Sequence, residues 1–171
     1  MKTKYLFMLP LFLNVFLMFS CSDQTKVYQN IDEWVADIAP HIESIDVQTL
    51  HAMLDTGAMV LLIDVREANE YNPGFIPGSV NIPRGIIEFN IAKDAYWEAQ
   101  FLYPPLKEDE IILICKKGKR SLMTVDAVKK LGFDKVKYLE GGFKKWELTY
   151  PLEQEKNLEQ VHKGDAEVGG C

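Results

Sequence analysis

At 171 residues the chain is long enough for one domain with a real core and too short for two ordinary ones. Its 47% apolar and 26% charged residues are the make-up of a globular protein, which excludes disorder as the starting assumption. The formal net charge is −6; the first twenty residues hold Lys2 and Lys4 and no acid, so the remainder sets 17 of the 19 basic residues against all 25 acids, a balance of −8. An acidic body of this kind argues against nucleic acid as a partner and confines anion binding to a local basic patch.

Lys2 and Lys4 precede an uncharged stretch, residues 5 to 20, built mostly of Leu, Phe, Met and Val. Cys21 follows at once, before the polar Ser22, Asp23 and Gln24. This is the layout of a secretory signal peptide over residues 1–20. A Cys directly after the apolar stretch is similar to a bacterial lipoprotein signal, in which Cys21 is acylated and becomes the first residue. Ser20 fits that cleavage site, whereas Met18 and Phe19 depart from it. The alternative is an uncleaved anchor, which Pro10 and Asn14 interrupt and which falls short of the ~20 residues that span a bilayer. Both readings put the domain outside the cytoplasm, periplasmic or at the cell surface, and at a membrane.

Residues 21–44 read as a polar tether and a helix over 31–39, where Ile31, Trp34, Val35 and Ile38 recur at helical spacing. Ser44–Val47 is extended and Thr49–Leu54 a short helix. Met59–Val65 is a continuous apolar run of strand length, the pattern of a strand buried on both faces. Val80–Ile82 is a short strand ended by Pro83, and residues 84–102 are helical in pieces, closed by Pro104 and Pro105. Glu110–Ile114 is a second core strand. Ser121–Lys130 is predicted to be a helix capped by Ser121, with an apolar face of Leu122, Val125, Val128 and Leu131 and a stop at Gly132. Val136–Leu139 is a third core strand, followed by Gly141-Gly142 and a short helix through Trp146. Trp34, Trp97 and Trp146 read as core. The domain is set at residues 45–150, with residues 151–171 a loose polar tail. Apolar strands alternating with helices define an α/β class: a single domain with a largely parallel central sheet flanked by helices, whose ligands bind at the carboxyl ends of strands.

One such end carries obvious chemistry: Cys115-Lys116-Lys117-Gly118-Lys119-Arg120-Ser121. The Cys stands directly after an apolar strand and a helix follows. Gly118 lets the loop curl its N–H groups toward one centre, the helix turns its positive end there, and four cations surround it. All three effects favour a thiolate on Cys115 and attract an anion. There is no Cys-x-x-Cys, and the three His are scattered, so neither a metal site nor a disulfide framework is expected.

Cys115-x-x-Gly118-x-Arg120-Ser121 resembles the active-site loop of the rhodanese family. So do Leu62–Glu67, Glu70-Tyr71, Gly74–Pro83, Leu131-Gly132-Phe133, Val136, Leu139–Phe143 and Trp146, in the family's order over about residues 45–146. The resemblance implies a rhodanese-like domain with sulfurtransferase activity and no cofactor. A Cys115 thiolate takes the outer sulfur of a small anionic donor such as thiosulfate, and a thiol or cyanide removes it. Lys116, Lys117, Gly118, Lys119, Arg120 and Ser121 would bind substrate; Asp64, Arg66 and Glu70 would brace the loops. Lys116 replaces a frequent Arg, which keeps charge but loses bidentate anion binding. Phe75 replaces a frequent His, a change expected to alter packing and not chemistry. Phosphatases of this fold have five residues between Cys and Arg; four here suit sulfur. A non-catalytic rhodanese-like binding module is the other alternative, and such modules commonly lack the Cys. Cys171 reads as a solvent-exposed tail thiol or, less favoured, as a relay taking sulfur from Cys115.

Overall fold

The computed structural model describes residues 26–160. The expected signal peptide over residues 1–20, the expected acylation site Cys21 and the tail Cys171 lie outside the described residues. Five parallel strands form one sheet in the order β1 (Ser44–Ile45), β5 (Val136–Leu139), β4 (Ile111–Ile114), β2 (Leu61–Asp64), β3 (Val80–Asn81). Leu113 is in register with Ile63 on one side and Tyr138 on the other, which makes β4 the middle strand.

Successive side chains of a strand point to opposite faces, so a strand covered on both sides needs apolar residues throughout. In β4, Ile111 and Leu113 join one core with Ile63, Val65, Trp97, Val125, Val128 and Phe133. Ile112 and Ile114 join the other with Leu62, Val47, Leu50, Leu139 and Trp146. The first face is covered by α4 (Ile87–Asn90), α5 (Asp94–Glu98) and α6 (Lys119–Lys130), the second by α2 (Val47–Asp55) and α7 (Gly142–Thr149). α2 starts at Val47 because the Asp46 carboxylate accepts the Thr49 N–H at 2.7 Å. Among the described residues no helix is long and apolar enough to cross a membrane.

Three local expectations are corrected. α1 (Ile31–Ile38) forms, capped by Asn30, but buries none of its residues; Trp34 stacks on Tyr28 at the surface and is not core. Ser121 does not cap α6. Gly118, at φ +96°, turns the chain one residue before Lys119, so the helix starts two residues earlier and Ser121 sits inside it. The segment after Leu152 is not loose at its start: Phe75 and Glu155 exchange backbone hydrogen bonds of 2.9 and 3.0 Å, and the Asn157 N–H donates to the Asn72 carbonyl at 2.8 Å.

Candidate active site

Cys115 continues the alternation of β4 and therefore turns its sulfur toward α6, in the core with Leu113 and Val125. It is 1% exposed. Its Sγ accepts the Gly118 N–H at 3.1 Å; the Ser121 hydroxyl, with one hydrogen to give, lies 3.4 Å from Sγ and 3.0 Å from the Gly118 carbonyl. The loop is held from outside by the start of α7. There the Phe143 N–H donates to the Cys115 carbonyl at 2.8 Å and the Lys144 N–H to the Lys116 carbonyl at 3.0 Å. The Cys115 and Lys116 carbonyls are thus bound outward, while the Gly118 N–H points inward at the sulfur. Gly142, at φ +59°, makes this docking feasible: a Cβ there would strike the Cys115 carbonyl oxygen and lie 2.9 Å from both Lys116 C and Lys117 N.

The loop cations do not act as one patch. Arg120 is engaged by Glu70 in a two-pronged pair of 2.6 and 2.8 Å. That hydrogen bond holds the Glu70 carboxyl below its ordinary value and raises Arg120. Lys119 pairs with Asp32 of α1. Lys116 and Lys117 have no ion-pair partner among the described residues, and both line a cavity of about 450 Å³ beside the loop. Gly118 and Ser121 thus contact the sulfur, Lys116 and Lys117 line the neighbouring cavity, Arg120 is held by Glu70, and Lys119 is turned toward α1.

Asp64 and Arg66 are buried, at 0% and 3% exposure. The Asp64 carboxylate accepts from Arg66 Nε at 2.9 Å and from an Arg66 terminal nitrogen at 2.7 Å. Burial pushes the Asp64 carboxyl up, against the pull of the guanidinium. The remaining Arg66 donors reach the Glu70 and Gly74 carbonyls, each at 2.8 Å, and the guanidinium lies 4.2 Å over the Phe143 ring. Arg66 therefore ties together β2, the turn carrying Glu70, and α7. Phe75 stacks on Tyr71 with ring centroids 4.2 Å apart. The α7 amides and the segment around Gln154, which lines the same cavity, carried no signal as site elements in the sequence beyond the Gly141-Gly142 pair. Among the described residues no cluster could hold a metal ion.

A single cysteine at the end of the middle strand of a parallel sheet, followed by a loop rich in Lys and Arg and then by a helix, marks the site of this α/β domain. Residues 46–149 match the model of the rhodanese-like domain, and the chain belongs to that family. It is 33% identical over 115 residues to a putative sulfur carrier protein of Bacillus subtilis, covering 67% of this chain and 56% of that one. It is 35% identical over 104 residues to the mouse thiosulfate sulfurtransferase/rhodanese-like domain-containing protein 3, covering 57% and 63%. The chain thus spans little more than half the length of these relatives. The human single-domain sulfurtransferase superposes with a TM-score of 0.56 at 28% identity, covering 60% of this chain and 93% of that one. A Rhodopseudomonas palustris structure described as a "Possible Tyrosine Phosphatase" does so with 0.61 at 26% identity, covering 73% and 94%.

Proposed function

We propose that this protein is a sulfurtransferase that carries sulfane sulfur on Cys115. The observation that carries the reading is the surroundings of Sγ: the Gly118 N–H donates to the sulfur at 3.1 Å and the Ser121 hydroxyl stands 3.4 Å from it, at the head of a helix that follows the cysteine loop. Relatives named as thiosulfate sulfurtransferases support it. In the first step the Cys115 thiolate attacks the outer sulfur of thiosulfate; the S–S bond of the donor breaks and sulfite leaves with the electron pair. In the second, an acceptor thiolate or cyanide attacks the outer sulfur of the persulfide and the Cys115 thiolate departs. No net oxidation occurs and no cofactor is needed.

Burial of Sγ means that the loop must uncover the sulfur to admit the donor in the first step, whereas the reacting atom of the second step is one S–S bond, about 2 Å, further out. Four residues between Cys115 and Arg120, where phosphatases of this fold have five, favour sulfur over phosphate. We extend the proposal to the N-terminus, where Cys21 bears lipid and holds the domain outside the cytoplasm.

The test is the intact mass of the purified protein after thiosulfate and then cyanide. One sulfur atom should be gained and then lost, and Cys115→Ser should gain none. Turnover at the parent rate in Cys115→Ser overturns the assignment.

A further inference from the structure

Resting on the proposed lipid at Cys21, we propose that the end of the domain at which the strands begin is a membrane-docking surface, with Phe101, Tyr103 and Leu106 entering the headgroup layer and Cys115 turned away from the bilayer. The five strands are parallel, so their first residues lie at one end, and Cys115, which follows β4, lies at the other. The loops at the first end carry Met59, Phe101, Leu102, Tyr103, Leu106 and Leu131, all exposed. Met59 stands just before β2, where the Leu61 N–H donates to the Glu110 carbonyl at 2.9 Å, beside the loop that enters β4. Lys107 of that loop reaches the Leu131 carbonyl, past the end of α6, at 2.6 Å. Leu102 lines a hollow at the start of β3 together with Ser79 and Val80. The six side chains therefore share one end of the sheet.

Phe101 is the most unusual of them. α5 ends at Glu98, and the chain is turned there by the Phe101 N–H on the Glu98 carbonyl and the Leu102 N–H on the Trp97 carbonyl, each at 3.0 Å. Phe101 takes φ +59°, the left-handed conformation that ends many helices on glycine, and among the described residues it alone has a positive φ without being glycine. Its ring is 97% exposed and so buries almost no surface within the fold. Tyr103 is 92% exposed, and Pro104 and Pro105 stiffen the chain between it and Leu106. A contiguous exposed apolar run marks a contact surface, and aromatic rings are the side chains that settle at a membrane–water boundary.

The path of the chain says which surface. Asp32 of α1 pairs with Lys119, the first residue of α6, and Glu43 pairs with Lys129, near its last, so residues 32–43 descend along α6 from the cysteine end toward the end where strands begin. Residues 26–30 double back along α1: Lys26 Nζ meets the Asp37 carboxylate at 2.6 Å, and the Tyr28 ring stacks on Trp34. Lys26 is thereby carried past Asp32 toward the strand-start end. Cys21 is five residues before it, a span of at most ~18 Å. A bilayer that holds a lipid on Cys21 is within reach of the exposed loops, and the opposite end, with Cys115, then meets donors and acceptors from the aqueous side.

The test uses the full chain, purified from membranes and reconstituted into phosphatidylcholine vesicles whose acyl chains carry bromine, a quencher of indole emission. Phe101→Trp and Tyr103→Trp each place a reporter in the loop. Phe89→Trp places one on an exposed ring of α4, beyond the far end of β3. All three side chains are exposed, so none of the changes threatens the core, and each is read against the parent with its own Trp34, Trp97 and Trp146. The two loop reporters should shift to the blue and lose emission, more to bromine near the headgroups than to bromine near the chain ends, as fits side chains about 5–10 Å into the boundary. Phe89→Trp should do neither. Unquenched loop reporters in a chain that floats with the vesicles overturn the docking surface and leave the anchor standing; a blue shift without quenching assigns that end to a second copy of the chain. Equal quenching of all three reporters overturns the orientation and the proposal with it. A parent that does not float overturns the anchor and the surface together.

Discussion

Gly142→Ala should disable the site from behind. Gly142 has φ +59°, and an added Cβ would collide with the carbonyl oxygen of Cys115 while lying 2.9 Å from Lys117 N, where ordinary contact begins at 3.4 Å. The left-handed conformation alone costs a side chain roughly 1–2 kcal/mol. Forcing a methyl into packed backbone adds about 1–3 kcal/mol. Relief requires α7 and the loop to part by on the order of 1 Å, which strains the Phe143 and Lys144 hydrogen bonds, worth about 1 kcal/mol each. The expected loss is about 3–5 kcal/mol, or more than ~10 °C in Tm for a domain of this size. A shift of ~1 Å in a reacting group also costs about 100-fold in kcat/KM. Gly57→Ala is the control: φ is +70°, with nothing within 4 Å of the added carbon, so only the conformational cost applies. Calorimetry, the rate of Cys115 alkylation by iodoacetamide and sulfur transfer are read on both variants. If Gly142→Ala matches Gly57→Ala in all three, the claim that α7 shapes the cysteine loop is wrong.

Glu70 is held below its ordinary value by Arg120, so their pair contributes stability in full at neutral pH and loses it as pH falls through the lowered value. Both side chains are about a third exposed, at 27% and 37%, which limits the pair to about 1 kcal/mol after screening. Urea unfolding from pH 7 to pH 3 should show Glu70→Gln about that much weaker at pH 7 and converging on the parent in acid; parallel curves would disprove the pairing as a source of stability. Asp64→Asn leaves the Arg66 guanidinium buried without its counter-charge and should cost about 3–5 kcal/mol. A Tm unchanged in that variant would mean that the pair is not what keeps Arg66 in place. Cys21→Ala should abolish incorporation of labelled fatty acid and release the chain from membranes, whereas a variant still membrane-bound and unprocessed would favour an uncleaved apolar anchor.

The parts of this molecule legible in its sequence are those where one stretch of residues carries its own reason. Leu61–Ile63 and Ile111–Ile114 had to be apolar throughout because helices cover both faces of the sheet, and Cys115 stands where such a strand ends. What the sequence concealed depends on partners far along the chain. Glu70 and Arg120 are 50 residues apart, and nothing in either neighbourhood says that the carboxylate takes up the guanidinium. The α7 amides reach the Cys115 and Lys116 carbonyls across 28 residues by main-chain atoms alone, which leave only the glycine pair as a trace. The return of Glu155 to Phe75 is likewise a backbone pairing, so polar composition disguised it as a tail. Ser121 misled because a Ser before an apolar periodic run is an ordinary helix start; the left-handed Gly118 moved that start back and put the hydroxyl to work on the sulfur.

The depth of the cysteine has a redox consequence. At 1% exposure Sγ presents almost no surface to peroxide or to a bulky disulfide, so sulfinic acid formation and dead-end mixed disulfides are both slowed. The same cover stands in the way of the proposed sulfur donor, so oxidation and loading would both run at the rate at which the loop uncovers the sulfur.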